Sequence, residues 1–162
     1  MKRTILTAMI ISMAFLNACK KEDASKKTFS LEMKINGVLW VAAKNQSGIY
    51  STSVKSLSFT GQRGDDIFNF AKDTVTGVGT YAMPSGNIAL ILGSGSSQKQ
   101  YNLNSSKPKS RGSVSFLNSS PNQTGLPSLA SIEYPEVNFS AVLFDAFNVD
   151  SVVITEGKLR YQ

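Results

Sequence analysis

Residues 29–35 alternate apolar and polar side chains without a break, which puts Phe29, Leu31, Met33 and Ile35 on one face of a half-buried strand. Asn36-Gly37 follows, the pair best able to take the positive φ angles of a type I′ turn, and residues 38–42 return as a second strand. The alternation resumes over 56–60, passes through turn chemistry at 61–66 and continues over 67–71, predicting another hairpin. Gly77-Val78-Gly79-Thr80-Tyr81 leads to a Pro84-Ser85-Gly86-Asn87 turn, and residues 88–92 are a continuous apolar strand suited to a sheet centre. Gly93-Ser94-Gly95-Ser96-Ser97 starts like a phosphate loop but lacks the later glycine, the lysine and the helix, so it reads as a hairpin connection. Residues 102–136 are rich in Ser, Asn and Pro around one short predicted strand at 113–117, a pattern of long loops that form functional surfaces or are simply mobile. The chain closes with a strand at 137–144, a turn at 145–150 and a long strand at 151–161. Val152 and Ile154 have the opposite parity to Leu159 and Tyr161, which predicts a β-bulge at Glu156-Gly157. The expected fold is all-β, an antiparallel β-sandwich or partly open barrel of about eight to ten strands.

The start of the chain has a different character. Lys2 and Arg3 precede an apolar run at 5–16 broken only by Thr7 and Ser12. These are the n-region and h-region of a secretory signal, too short to cross a bilayer core of roughly 30 Å as a helix. The run ends in Leu16-Asn17-Ala18-Cys19, which resembles the lipobox of bacterial lipoproteins. That resemblance implies cleavage between Ala18 and Cys19, a thioether lipid on Cys19 and acylation of the new amino terminus with palmitate-type chains. Several chains, at about 0.8 kcal/mol per buried CH₂, exceed what stable anchoring needs. The alternative is an ordinary signal peptide with an incidental cysteine.

The chain thus divides into a signal helix at 1–18, the cysteine and a charged tether at 19–27, and one domain at 28–162. By analogy with lipoprotein sorting, Lys20 directly after the cysteine points away from inner-membrane retention and toward the outer membrane. Glu22-Asp23 resembles the export signals of surface lipoproteins, or is part of a plain spacer, so both periplasmic and cell-surface exposure stay open.

Composition narrows the chemistry. The formal charge of +6 falls when Lys2 and Arg3 leave with the signal, and the folded part is then close to neutral, giving nucleic-acid binding little support. The chain has no histidine and a single cysteine, Cys19, which excludes Ser-His-Asp and Cys-His catalysis, the usual zinc sites and any disulfide within the chain. No cofactor motif is present.

Several residues are candidates for contact chemistry, each with a structural alternative. Trp40 is a sugar-stacking platform or a packed hairpin residue. Tyr101, Lys107, Lys109 and Arg111 form a basic cluster suited to an acidic glycan, or a solvated loop. Asp65 and Asp66, and separately Asp145, Asn148 and Asp150, offer oxygen ligands for a cation such as calcium, without EF-hand spacing. Glu133 and Glu136 flank Tyr134-Pro135, read as a turn that supplies a glycosidase-like carboxylate pair.

Lys34-Ile35-Asn36-Gly37-Val38-Leu39-Trp40, Gly79-Thr80-Tyr81 and Val153-Ile154-Thr155-Glu156-Gly157-Lys158-Leu159, in this order behind a lipobox, resemble the small uncharacterised lipoprotein domains of Bacteroidota-type bacteria. The resemblance implies an envelope location and an all-β fold, and carries no catalytic residue. It also implies a modification: Asp73-Thr74-Val75 and Asp150-Ser151-Val152 resemble the O-glycosylation sites of exported proteins in that group, making Thr74 and Ser151 the acceptors. The function expected is a non-catalytic, lipid-anchored module for a glycan or an envelope protein. The alternatives are an envelope hydrolase using a carboxylate pair and a structural subunit that assembles through its terminal strand.

Overall fold

The computed structural model describes residues 28–83, 87–104, 106–121, 131–147 and 149–161. The signal, Ala18, Cys19, the tether, the Pro84-Ser85-Gly86 turn and Asn148 lie outside the described residues. The strands are β1 (Phe29–Ile35), β2 (Val38–Val41), β3 (Lys44–Ser51), β4 (Ser56–Arg63), β5 (Asp66–Lys72), β6 (Gly79–Ala82), β7 (Ile88–Leu92), β8 (Lys99–Asn102), β9 (Arg111–Pro121), β10 (Ile132–Asp145) and β11 (Ser151–Tyr161). All pairings are antiparallel, and a 3-10 turn at Gly95–Ser97 is the one helical element among the described residues.

The 14-residue strand β10 organises the sheet. It pairs with β11 and with β9 along its length, with β3 at Ile132 and Glu133, and with β8 at Phe144 and Asp145. Following the pairs from β10 through β3, β4, β5, β7 and β8 therefore returns to β10, while β11-β1-β2 and β9-β6 extend from it on either side. The result is an antiparallel fold with the character of a sandwich and of a partly open barrel.

Alternation supplies the core. Leu31, Met33 and Ile35 of β1, Val152, Ile154 and Leu159 of β11, and Val137, Phe139, Ala141 and Leu143 of β10 all point inward. Phe139 spans the interior, with its ring 5.2 Å from both Phe59 of β4 and Phe68 of β5, and Phe59 stacks on Phe70 at 4.2 Å. Tyr50 of β3 meets Phe116 of β9 at 4.8 Å and donates its hydroxyl to the Val75 carbonyl at 2.9 Å. Such offset and tilted contacts add to the stabilisation from apolar burial.

The described residues form eleven strands, in keeping with the all-β antiparallel fold of about eight to ten strands expected; β3 and β8 carry few apolar residues, which leaves them unmarked in the sequence. Three expectations need correction. Residues 102–136 hold less loop than predicted, because β9 runs over Arg111–Pro121 and β10 begins at Ile132. Glu133 and Glu136 lie within β10, not in a turn. And β11 presents no free edge: it sits between β1 and β10, so the exposed edge beside it belongs to β2.

The bulge at the end of the chain is present. β11 has one more residue here than either neighbour, since Phe139 and Ala141 of β10 face Gly157 and Ile154, and Glu32 and Lys34 of β1 face Lys158 and Thr155. Glu156 takes the left-handed conformation, at φ 51°.

Candidate functional site

On the outer surface of β9, β10 and β11 the regular pleat is interrupted. The β10–β11 ladder shifts register between Phe139 and Ala141, and the β10–β9 ladder shifts between Glu136 and Ser140. Two breaks on opposite edges of one strand, within a few residues of each other, open the sheet surface instead of leaving it flat. The result is a groove of two adjoining depressions, about 240 and 300 Å³, that share Ser113 and Ser140.

Strand parity determines what lines it. Val114 and Phe116 of β9 turn inward, so Ser113 and Ser115 turn outward; Phe139 and Ala141 of β10 turn inward, so Ser140 and Val142 turn outward. The Ser113 and Ser140 hydroxyls are 3.1 Å apart, and Ser115 pairs with Thr80 of β6 at 2.8 Å. Thr155 and Val153 complete the wall on β11. One end opens at Arg111, whose guanidinium has no hydrogen-bond or ion-pair partner among the described residues. The other end holds Glu156 and Lys158, each already paired: Glu156 with Lys34 at 2.7 Å and Lys158 with Glu32 at 3.3 Å. The Lys34 ammonium holds the Glu156 carboxyl below its ordinary value.

The candidates named from sequence fare differently. Trp40 is 1% exposed and serves no stacking role at the surface: its indole N–H donates to Asp66 Oδ2 at 3.2 Å, and the Arg63 guanidinium lies 5.6 Å from the ring centroid. The inward parity of β2, with Met33 opposite Trp40, is the reason. Asp66 is a clamp between three elements, accepting also from Arg63 at 3.0 Å and from the Gly93 amide at 3.0 Å, while Asp65 stays in the exposed turn. Burial pushes the Asp66 carboxyl up, but the Gly93 amide, Arg63 and Trp40 outweigh it and hold the group below its ordinary value of 3.8.

A carboxyl depressed by folding contributes stability above its unfolded value, near 3.9, and loses that contribution as pH falls through the lower folded one. Urea unfolding measured at pH 5 and then at progressively lower pH should show an acid-dependent loss that is smaller in Asp66→Asn than in the natural protein. Equal losses in the two proteins would remove Asp66 from this role.

Tyr101 is also buried, and donates its hydroxyl to Asp150 Oδ2 at 3.0 Å. The basic cluster drawn around it therefore divides: Lys107 and Lys109 occupy the turn after β8, whereas Arg111 opens on the groove. Asp150 accepts from Lys99 at 3.0 Å as well, so an ammonium occupies the place a cation would take, and Asp145 Oδ1 caps the amides of Val149 and Asp150. Asn148, the third oxygen candidate, is outside the described residues. Glu133 and Glu136 differ by three positions on one strand and so point to opposite faces, and the Glu133 carboxylate accepts from the Ser119 hydroxyl. Thr74 and Ser151 are both exposed, Thr74 at φ 63° in the segment after β5 and Ser151 at the start of β11.

The groove itself was not foreseen. Ser113, Ser115 and Ser140 read in sequence as ordinary solvent-facing strand positions, and only the two coincident register breaks make a concave surface of them. No family model, curated protein or solved structure matches the chain.

Proposed function

We propose that this protein is a lipid-anchored module of the outer membrane, facing periplasm or cell surface, that engages a glycan or an envelope protein by contact and not by turnover. The observation that carries the reading is the hydroxyl-lined groove, a concave polar surface formed where the β9–β10 and β10–β11 ladders both shift register and furnished with groups suited to recognition. The carboxylates that a hydrolase would converge on a scissile bond, Glu133 and Glu136, instead face apart.

The strand ladder also supports presentation from an anchor. Phe29 pairs with Tyr161 at one end of β1, and the Asn36-Gly37 turn closes the other end, where Asn36 exchanges hydrogen bonds with Val153. A tether entering at residue 28 would leave the Arg111 end of the groove, near Val153, away from the attachment point. The lipobox and the likeness to lipoprotein domains of Bacteroidota-type bacteria support the same envelope setting.

Mass spectrometry of the amino-terminal peptide should find a diacylglyceryl thioether on Cys19, and Cys19→Ala should move the protein from the membrane to the soluble fraction. An unmodified cysteine would overturn the anchor. Incubation of the detergent-purified lipoprotein with envelope polysaccharides and envelope proteins should retain a ligand without shortening any polysaccharide; a shortened chain would overturn the non-catalytic reading.

A further inference from the structure

We infer that the groove across β9, β10 and β11 is a subsite for an acidic saccharide, with Arg111 receiving a sugar carboxylate; the inference rests on the binding-module reading and specifies its ligand. A pyranose ring presents hydroxyls around its edge and C–H groups on its faces, and the groove offers the complement of both. Ser113, Ser140 and Thr155 supply hydroxyls that donate and accept, as sugar hydroxyls do, and Val142 and Val153 supply methyl surface beside them. Among the described residues no aromatic side chain projects from the groove as a protein hot spot would, since Phe139 is buried beneath it.

Charge selects the class of sugar. Glu156 and Lys158 at one end are each closed in a pair with a residue of β1, so neither presents an uncompensated charge to the groove. Arg111 at the other end has no acidic partner among the described residues, which leaves one net positive charge at the mouth. A guanidinium binds a carboxylate through two parallel hydrogen bonds, a geometry that lysine cannot reproduce. The groove is small and open, at the lower edge of the roughly 300–1,000 Å³ typical of ligand sites, so it fits one or two residues of a longer chain.

Titration calorimetry on the detergent-purified lipoprotein tests this with tetragalacturonate, a hyaluronan hexasaccharide and fully methyl-esterified tetragalacturonate as the neutral control. At least one acidic oligosaccharide should bind, the esterified form should bind about tenfold more weakly or not at all, and added salt should narrow that difference. Arg111→Gln should weaken the acidic ligand by about tenfold and leave the melting temperature unchanged, because Arg111 is exposed and has no side-chain partner among the described residues. Ser140→Val should weaken acidic and neutral ligands alike.

Equal affinity for the acidic and esterified forms, or full affinity in Arg111→Gln, would overturn the acidic assignment while leaving a binding module in place. If no oligosaccharide binds but Arg111→Gln abolishes capture of an envelope protein, the groove belongs to a protein partner and the inference fails. If neither saccharide nor envelope protein is retained, the module reading falls with it.

Discussion

Replacing Trp40 with alanine is expected to cost about 3–5 kcal/mol of unfolding free energy, read as a shift of the urea midpoint at neutral pH. The indole is 1% exposed on a four-residue strand that has one ladder neighbour, so it provides much of what holds β2 to the body. Its removal leaves a cavity, and it takes one donor from Asp66 and the aromatic face from Arg63. Trp40→Phe separates these contributions. It keeps most of the apolar area and loses the N–H···Asp66 bond, so its cost should be nearer to 1 kcal/mol. A Trp40→Ala protein of unchanged stability but impaired ligand binding would mean that the ring works at the surface after all.

The second large effect is expected at Gly157. A Cβ built there would lie 2.4 Å from Cε2 of Phe139, well inside contact distance. That ring has nowhere to go, because it is wedged against Phe59 and Phe68 in the middle of the core. Gly157→Ala should therefore cost about 1–3 kcal/mol, and Gly157→Val more, in thermal or urea unfolding. The neighbouring Lys158→Ala removes only an exposed ion pair and should fall within about 1 kcal/mol. A neutral Gly157→Ala would mean that β11 can shift away from β10 at the bulge. Because Gly157 and Phe139 also line the groove, such a shift should also change the affinity for the acidic saccharide that we propose as its ligand.

The two positions show what could be read from sequence. Unbroken alternation at β1 and the parity slip in β11 were sufficient to locate a strand, its turn and a bulge. The role of Gly157 was less legible. Sequence suggests backbone freedom, whereas Glu156 adopts the left-handed conformation and Gly157 supplies room for a ring from another strand, a fact of tertiary packing.

Polar strands were hidden for a related reason. β3 opens with Lys44, Asn45, Gln46 and Ser47, and its inward positions include Gly48, where any side chain would meet Leu159. Gln46 is polar because it completes the backbone: its side chain accepts from the Leu31 amide and donates to the Ala42 carbonyl. Pro135 disguised the start of β10. It is tolerated within the strand because, on that edge, β3 has left after Glu133 and β11 has not begun until Val137, so no ladder partner faces it. The groove was the least legible feature, since it depends on register breaks in two ladders that meet only through β10.

The position of β1 has a mechanical consequence. On the proposed reading, a chain held by its lipid and pulled by its ligand would transmit the load through residue 28 along β1, which is bonded on one side to β2 and on the other to β11. Antiparallel ladder bonds run perpendicular to the strand, so tension along it strains both rows of bonds in shear and at once, instead of unzipping them singly. The fold should therefore resist a pull applied at residue 28, and drawing the molecule out by an internal turn such as Gly64-Asp65 should rupture it at a much lower force.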